Sequence, residues 1–229
     1  MCFLSTFNNM IKMFSPKNDP NPFGKSWEYW TAEWWRWLMS IPKKNNPCND
    51  ATGNDAGMGQ TGKDERDVWF LAGTRSARVR RTKCVVPVNK GILFPIATME
   101  ASKAEFGDKT ENQLLDLVNQ GNQVDSMQLE VEIYDKGKLI DKLSLMNKQD
   151  LLNFEYETHL FDAWLPEHNI WPWTEGGNTQ TVSHGYWAFF DRLPLGEHKL
   201  RFSQVTKDDP ATGTINCKYD VIYDPLTVR

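Results

Sequence analysis

Four histidines, a scatter of carboxylates and a tryptophan-rich loop hold most of the chemistry open to this chain of 229 residues. His159 and His168 share one segment with Glu157, Asp162 and Glu167, and His184 follows soon after. Three imidazoles, or two with a carboxylate, make a donor set for zinc or another transition metal, so His159, His168 and His184 are metal candidates. Their separations match no ligand motif, and the spacing calls for no cofactor. His198 alternates with Leu200 and Phe202 and is expected inside, hydrogen-bonded.

Paired carboxylates can cleave a glycosidic bond. Glu100, Glu105, Glu130, Glu132, Asp162 and Glu167 are the candidates, and Asp162, Glu167 and His168 lie closest in sequence to the aromatic loop. Glu130 and Glu132 fall on one face of an alternating strand, where a solvated edge is the plainer reading. Trp164, Trp171, Trp173, Tyr186 and Trp187 are the ligand-binding candidates, because flat rings stack on planar ligand faces such as sugars. The competing role for these rings is a plug closing one end of a β-sandwich. No Gly-x-Ser-x-Gly elbow, phosphate loop or dinucleotide fingerprint is present.

The elements that must position these groups are legible from periodicity. Five of the ten tryptophans fall between Trp27 and Trp37. Trp27, Trp30, Trp34, Trp37 and Ile41 follow helical steps, while Tyr29 and Trp35 fall elsewhere, so the helix must be clamped between a sheet and a loop or partner. Ser26 supplies an N-cap with Glu28 in the first turn, and Pro42 stops the helix, which gives residues 26–39. Residues 43–66 read as a long loop whose Asp and Asn content permits calcium, without EF-hand spacing. From Val68 the period becomes two. Strands are expected at 68–72, 79–86, 91–97, 126–134, 139–145, 183–190, 199–205 and 216–223, with a short helix at 111–119 capped by Thr110. Asp135-Lys136-Gly137 turns one hairpin, and Leu193-Pro194-Leu195-Gly196 is expected to turn a second. The whole is a mainly β, sandwich or jelly-roll-like fold with an N-terminal Trp-rich helix and one short additional helix. Residues 1–25 form an extended arm, and 26–229 a single domain.

The net charge of −4 and the pI of about 5.6 argue against a general nucleic-acid binder. The basic clump Arg75, Arg78, Arg80, Arg81 and Lys83 reads as a solvated strand face. No stretch approaches the ~20 apolar residues that span a bilayer. Residues 1–14 make a poor signal peptide, so a cytoplasmic setting is the default expectation. Of the cysteines Cys2, Cys48, Cys84 and Cys217, no two form a CxxC pair. Cys48, in a loop, and Cys84, in the following strand region, either pair as a disulfide, which would favour an extracytoplasmic setting, or stay as buried thiols. Cys217 alternates with Ile215, Tyr219 and Val221 and is expected to face the core.

Several ordered motifs resemble an uncharacterised family of archaeal and bacterial proteins. They are Gly24-Lys25-Ser26 with the Trp helix, Ser40-Ile41-Pro42, Asn46-Pro47, Asp50-Ala51-Thr52-Gly53, Gln60, the run from Val68 to Thr74, Cys84-Val85-Val86-Pro87, Phe94-Pro95-Ile96, Ser183-His184-Gly185-Tyr186-Trp187 and the run from Leu193 to His198. The resemblance implies no activity. Its pattern resembles Thr-Gly-x-x-Cys where this chain has Asn54, Asp55 and Ala56, so Cys48 would have to replace the missing partner of Cys84. His184 stands where relatives resemble Asp.

Three functions follow as expectations. The first is a non-catalytic module binding carbohydrate or another cell-surface polymer through the 157–187 aromatic loop. The second is a hydrolase or lyase on such a polymer. The third is an assembly subunit that docks on a protein partner, or on a second copy, through the arm and the Trp helix. An acidic pair facing the aromatic cleft separates the first two, and an exposed aromatic patch on the helix marks the third.

Overall fold

The structure, a computed structural model, describes residues 11–60, 67–206 and 218–229. Cys2 and Cys217 lie outside them. The described residues form two six-stranded mixed sheets. In the first, β10 (Gly177–Phe190) pairs along one edge with β5 (Gly91–Ser102), which in turn takes β2 (Val68–Phe70). The other edge of β10 receives β9 (Phe161–Leu165), β8 (Glu155–Glu157) and β1 (Met13–Phe14) in succession. In the second sheet β12 (Lys218–Val228), β11 (Gly196–Thr206), β6 (Val124–Asp135) and β7 (Lys138–Leu145) follow in order. There β3 (Arg78–Arg81) and β4 (Cys84–Val86) lie in parallel on the outer edge of β12. The inner faces meet through Phe94, Phe190, Phe202, Leu129 and Val221, as the alternation of Met127, Leu129, Val131 and Ile133 on β6 requires.

The helix α1 (Trp27–Met39) covers the other face of the first sheet. Ser26 accepts from the Tyr29 amide at 3.2 Å and caps it. All five of its tryptophans are buried, and four indole N–H groups donate to carbonyls: Trp27 to Asp19, Trp30 to Pro22, Trp34 to Leu71 and Trp37 to Met58. The indoles supply apolar area and also tie the incoming arm and the 53–60 loop to the helix. Trp34 packs edge-on against Trp187 at 5.4 Å, and Trp35 lies tilted against Trp171 at 6.5 Å. Met13 and Phe14 of the arm extend the sheet, with Met13 opposite Phe190. The helix α3 (Glu111–Gly121) has a full capping box between Thr110 and Gln113 and packs on Ala101 and Val182. Two one-turn helices, α2 (Lys103–Phe106) and α4 (Lys148–Leu151), complete the set. No helix among the described residues is long and apolar enough to cross a membrane.

Two expectations need correction. Ser183 to Phe190 and Lys199 to Val205 do not form a hairpin. The segment Leu193 to Gly196 carries the chain from one sheet to the other, and Phe190 and Phe202 face each other across the sandwich. Alternation marks the buried face of a strand without naming its neighbour. Cys48 and Cys84 are separate buried thiols, not a disulfide. Cys84 faces the space between the sheets and Cys48 the α1 layer. Gly53 lies between this loop and β4 at φ +90°, and a Cβ there would stand 2.9 Å from the Cys84 nitrogen, so only glycine fits.

Candidate functional site

The strand β5 is apolar for most of its length, and then places Glu100 near its end, 7% exposed. A carboxyl at that depth needs neutralising. Thr181, on β10, donates its hydroxyl to Glu100 Oε2 at 2.9 Å. One turn beyond the strand, α2 turns Glu105 back towards it. That turn is pinned by the Ala104 amide donating to Thr179 Oγ1 at 3.0 Å, and Ser102 Oγ donates to Glu105 Oε2 at 3.0 Å. The Glu105 carboxyl adjoins that of Glu100 closely enough to act on its charge. Burial pushes the Glu100 carboxyl well above the usual carboxylate range, and the Glu105 charge pushes it further. The Thr181 hydroxyl and the Arg75 guanidinium oppose the shift without reversing it. Glu100 therefore holds a proton where an exposed glutamate would not.

Both carboxyls line a cavity of about 580 Å³, a size within the range that holds small ligands. Trp34, Trp35 and Trp171 form one wall, Phe202 and Val221 another, and Trp173 stands at the cavity, 63% exposed. Asn169 shapes the turn that delivers Trp171. Its Oδ1 accepts from the Trp171 amide at 2.7 Å and from Thr174 Oγ1 at 3.2 Å, while its Nδ2 donates to the Pro166 carbonyl. Arg75 lines the same cavity and fastens that turn by donating to the Ile170 carbonyl at 2.6 Å. Two buried polar atoms of the lining residues, Trp35 Nε1 and Gln204 Oε1, have no hydrogen-bond partner among the described residues.

The aromatic candidates separate. Trp171 and Trp173 reach the cavity, whereas Trp164 is 51% exposed on β9 and does not line it. Tyr186 and Trp187 are buried on opposite faces of β10, Tyr186 between the sheets and Trp187 beneath α1, so neither presents a ring to a ligand. The Tyr186 hydroxyl donates to Glu155 Oε1 at 3.0 Å, and burial followed by the Glu155 charge pushes it up to about 12. Among the catalytic candidates, Asp162 pairs with Gln180, Glu167 and His168 lie exposed on the turn, and none of the three lines the cavity.

The metal candidates are not brought together. His159 pairs with Glu111 at 3.0 Å and His184 with Glu155 at 2.9 Å, on different elements. Among the described residues no group of three or more His, Cys, Asp or Glu is placed to hold a metal ion. In the 45–60 loop, Asp50 spends its oxygens on the Thr52 amide and hydroxyl and the Asp55 amide, which hold the turn. His198 is buried as expected, accepting from the Tyr134 amide at Nδ1 and donating from Nε2 to the Pro194 carbonyl at 2.7 Å.

The basic clump also divides. Arg78 and Arg80 are solvated and pair with Asp220 and Asp224. Arg81 instead turns inward, fully buried, and donates to the carbonyls of Pro47, Asp50, Ala72 and Gly73 and to the Tyr223 hydroxyl. It thereby fixes the Gly73 side of the cavity. Glu130 and Glu132 face outward and pair with Arg201 and Lys142. Glu100 and Glu105 are two of the six candidate carboxylates that the sequence offers, and their partners Thr181, Ser102 and Arg75 carry no mark in it. The available signal was a glutamate inside an apolar strand, where an unpaired charge is costly. No family model matches the chain, and neither does any curated protein or solved structure.

Proposed function

We propose that the chain is a hydrolase in which Glu100 and Glu105 act as a proton-sharing dyad on an acyl bond, an ester or an amide, of a substrate laid against Trp171 and Trp173. One observation carries this reading: a buried carboxyl, pushed towards its protonated form by burial and by an adjoining second carboxyl, in the wall of an aromatic-lined cavity. Glu105 acts directly on the charge of Glu100, as in a pair that shares a proton, whereas the two acids of a glycosidase stand apart on either side of the sugar. The pair therefore suits attack by water on a carbonyl carbon better than cleavage of a glycosidic bond.

In that step Glu105 takes a proton from water, and the water oxygen bonds to the carbonyl carbon. The carbonyl π electrons move to its oxygen, which receives the Glu100 proton. Collapse then returns a hydroxyl proton to Glu100, breaks the bond to the leaving oxygen or nitrogen, and passes the Glu105 proton to that leaving atom. The products are an acid and an alcohol or amine, and the dyad again holds one proton.

The test is turnover of chromogenic esters and anilides, with acetylated polysaccharide alongside, between pH 4 and 7. The expected result is hydrolysis that falls at least a hundredfold in both Glu100→Gln and Glu105→Gln while the fold persists. Absence of hydrolysis by the unaltered chain, or equal rates in the variants, overturns it. A second reading, a non-catalytic glycan-binding module, is favoured by the exposed rings of Trp164 and Trp173. It predicts glycan binding that survives both glutamine substitutions. Docking of a partner through α1 lacks the exposed aromatic patch it needs, because every tryptophan of that helix is buried.

A further inference from the structure

We infer that the free edge of β5 is a docking strand for an extended peptide, which makes a peptide the substrate class; this rests on the reading of the cavity as a substrate site. The partners of β5 are unequal. From Ile92 to Ser102 one edge pairs with β10, interrupted by a bulge at Ile96. The other edge meets β2 only across Gly91 to Leu93, and its last backbone bond is the Leu71 amide donating to the Leu93 carbonyl at 3.0 Å. Beyond that point, among the described residues, no backbone or side-chain group bonds this edge as far as Glu100.

The cavity lies along that edge. Six consecutive residues, Pro95 to Glu100, line it. A bulge leaves Ile96 unpaired between Pro95 and Ala97; from Ala97 to Glu100 side chains alternate between faces, so this unbroken run lines one cavity where the strand is met edge-on. The two walls confirm this placement, since Phe202 and Val221 belong to the space between the sheets and Trp34 and Trp171 to the α1 layer on the opposite face. The cavity therefore wraps around the edge of the first sheet. Ile96 and Ala97 are buried there, and backbone amides and carbonyls at such depth require partners.

An added extended chain meets all of these demands at once. Its backbone completes the ladder, and its side chains point alternately to the Phe202 wall and to the tryptophan wall. The edge from Pro95 to Glu100 runs about 17 Å, enough for about five residues. Glu100 belongs to the same strand, so a peptide carbonyl held on the edge lies beside the dyad. Pro95 offers no N–H and so removes one donor from the ladder there.

The test uses Glu100→Gln protein, which binds without turnover, and a positional-scanning library of N-acetylated octapeptide amides. The expected result is binding accompanied by slowed hydrogen exchange of the amides between Ile96 and Ala101, and at least a tenfold loss of affinity when alternate peptide nitrogens are methylated. Absence of binding across the library, indifference to methylation, or protection confined to other elements overturns the inference. The two proposals fail separately. Ester hydrolysis without peptide binding leaves the dyad and removes the docking strand. Peptide binding with β5 protection but no hydrolysis by the unaltered chain leaves the docking strand and removes the dyad.

Discussion

Thr181 Oγ1 stands 2.9 Å from Glu100 Oε2, reaching diagonally from β10, where Thr181 itself is opposite Ser102 and Ser183 is opposite Glu100. A hydroxyl can serve either protonation state of the acid, so this contact holds the carboxyl in place while its charge is decided by burial and by Glu105.

Glu100 should make the fold less stable as pH rises. Its carboxyl titrates above the ordinary value near 4.5 because it is buried and faces the Glu105 charge. The folded chain then keeps a proton that the unfolded chain releases. This contribution is fully present below about pH 4.5 and is lost as pH climbs through the folded value, with a limiting slope of about 1.4 kcal/mol per pH unit. Glutamine cannot ionise. Urea denaturation of the unaltered chain and of Glu100→Gln between pH 4 and 9 should show the variant gaining relative stability with rising pH. Parallel curves would contradict a protonated Glu100.

Cys48 and Cys84 should resist thiol reagents in the folded chain. Burial pushes the Cys48 thiol up to about 11 and the Cys84 thiol to about 12, with nearby arginines pulling the other way. Little thiolate exists at pH 8, and thiolate is the reacting form. Peptide mapping after iodoacetamide treatment should find both sites unmodified until denaturant is added, and unlinked whether or not reductant is present. A Cys48–Cys84 linkage in the non-reduced digest would contradict the structure.

Arg81→Lys should behave as a severe substitution. The guanidinium fork serves five acceptors at 2.6–2.9 Å, four carbonyls and the Tyr223 hydroxyl. An ammonium has three donors in another geometry, so buried acceptors are left empty at a cost of roughly 2–5 kcal/mol. Chemical denaturation measures the loss.

Trp173→Ala and Trp187→Ala should have opposite effects. Trp187 is fully buried and meets Trp34 edge-on, so its removal should cost about 3–5 kcal/mol. Trp173 is 63% exposed beside the cavity, and its removal should change stability by less than about 0.5 kcal/mol while weakening ligand binding. Calorimetry and a binding titration on the two variants separate these outcomes.

Local chemistry alone determined much of the scaffold. Ser26 and Pro42 bound the tryptophan helix, Thr110 caps α3, and the alternation from Met127 to Ile133 marks the buried face of β6, because caps, breakers and period-two patterning act within a few residues. Only the tertiary structure decided which strands are neighbours. Leu193 to Gly196 reads as a hairpin turn, yet it crosses between the sheets, since a short turn serves either path and the choice lies with distant partners. The same holds for the charged groups. Alternation sets Arg81 on the buried face of Val79 and Arg80 on the exposed one, and the apolar run around Glu100 marks it as buried, but nothing local names the partners of either. A long-range fold brings Thr181, Arg75 and Trp171 to the end of β5, and the protonation of a carboxyl depends on what surrounds it in space rather than in sequence.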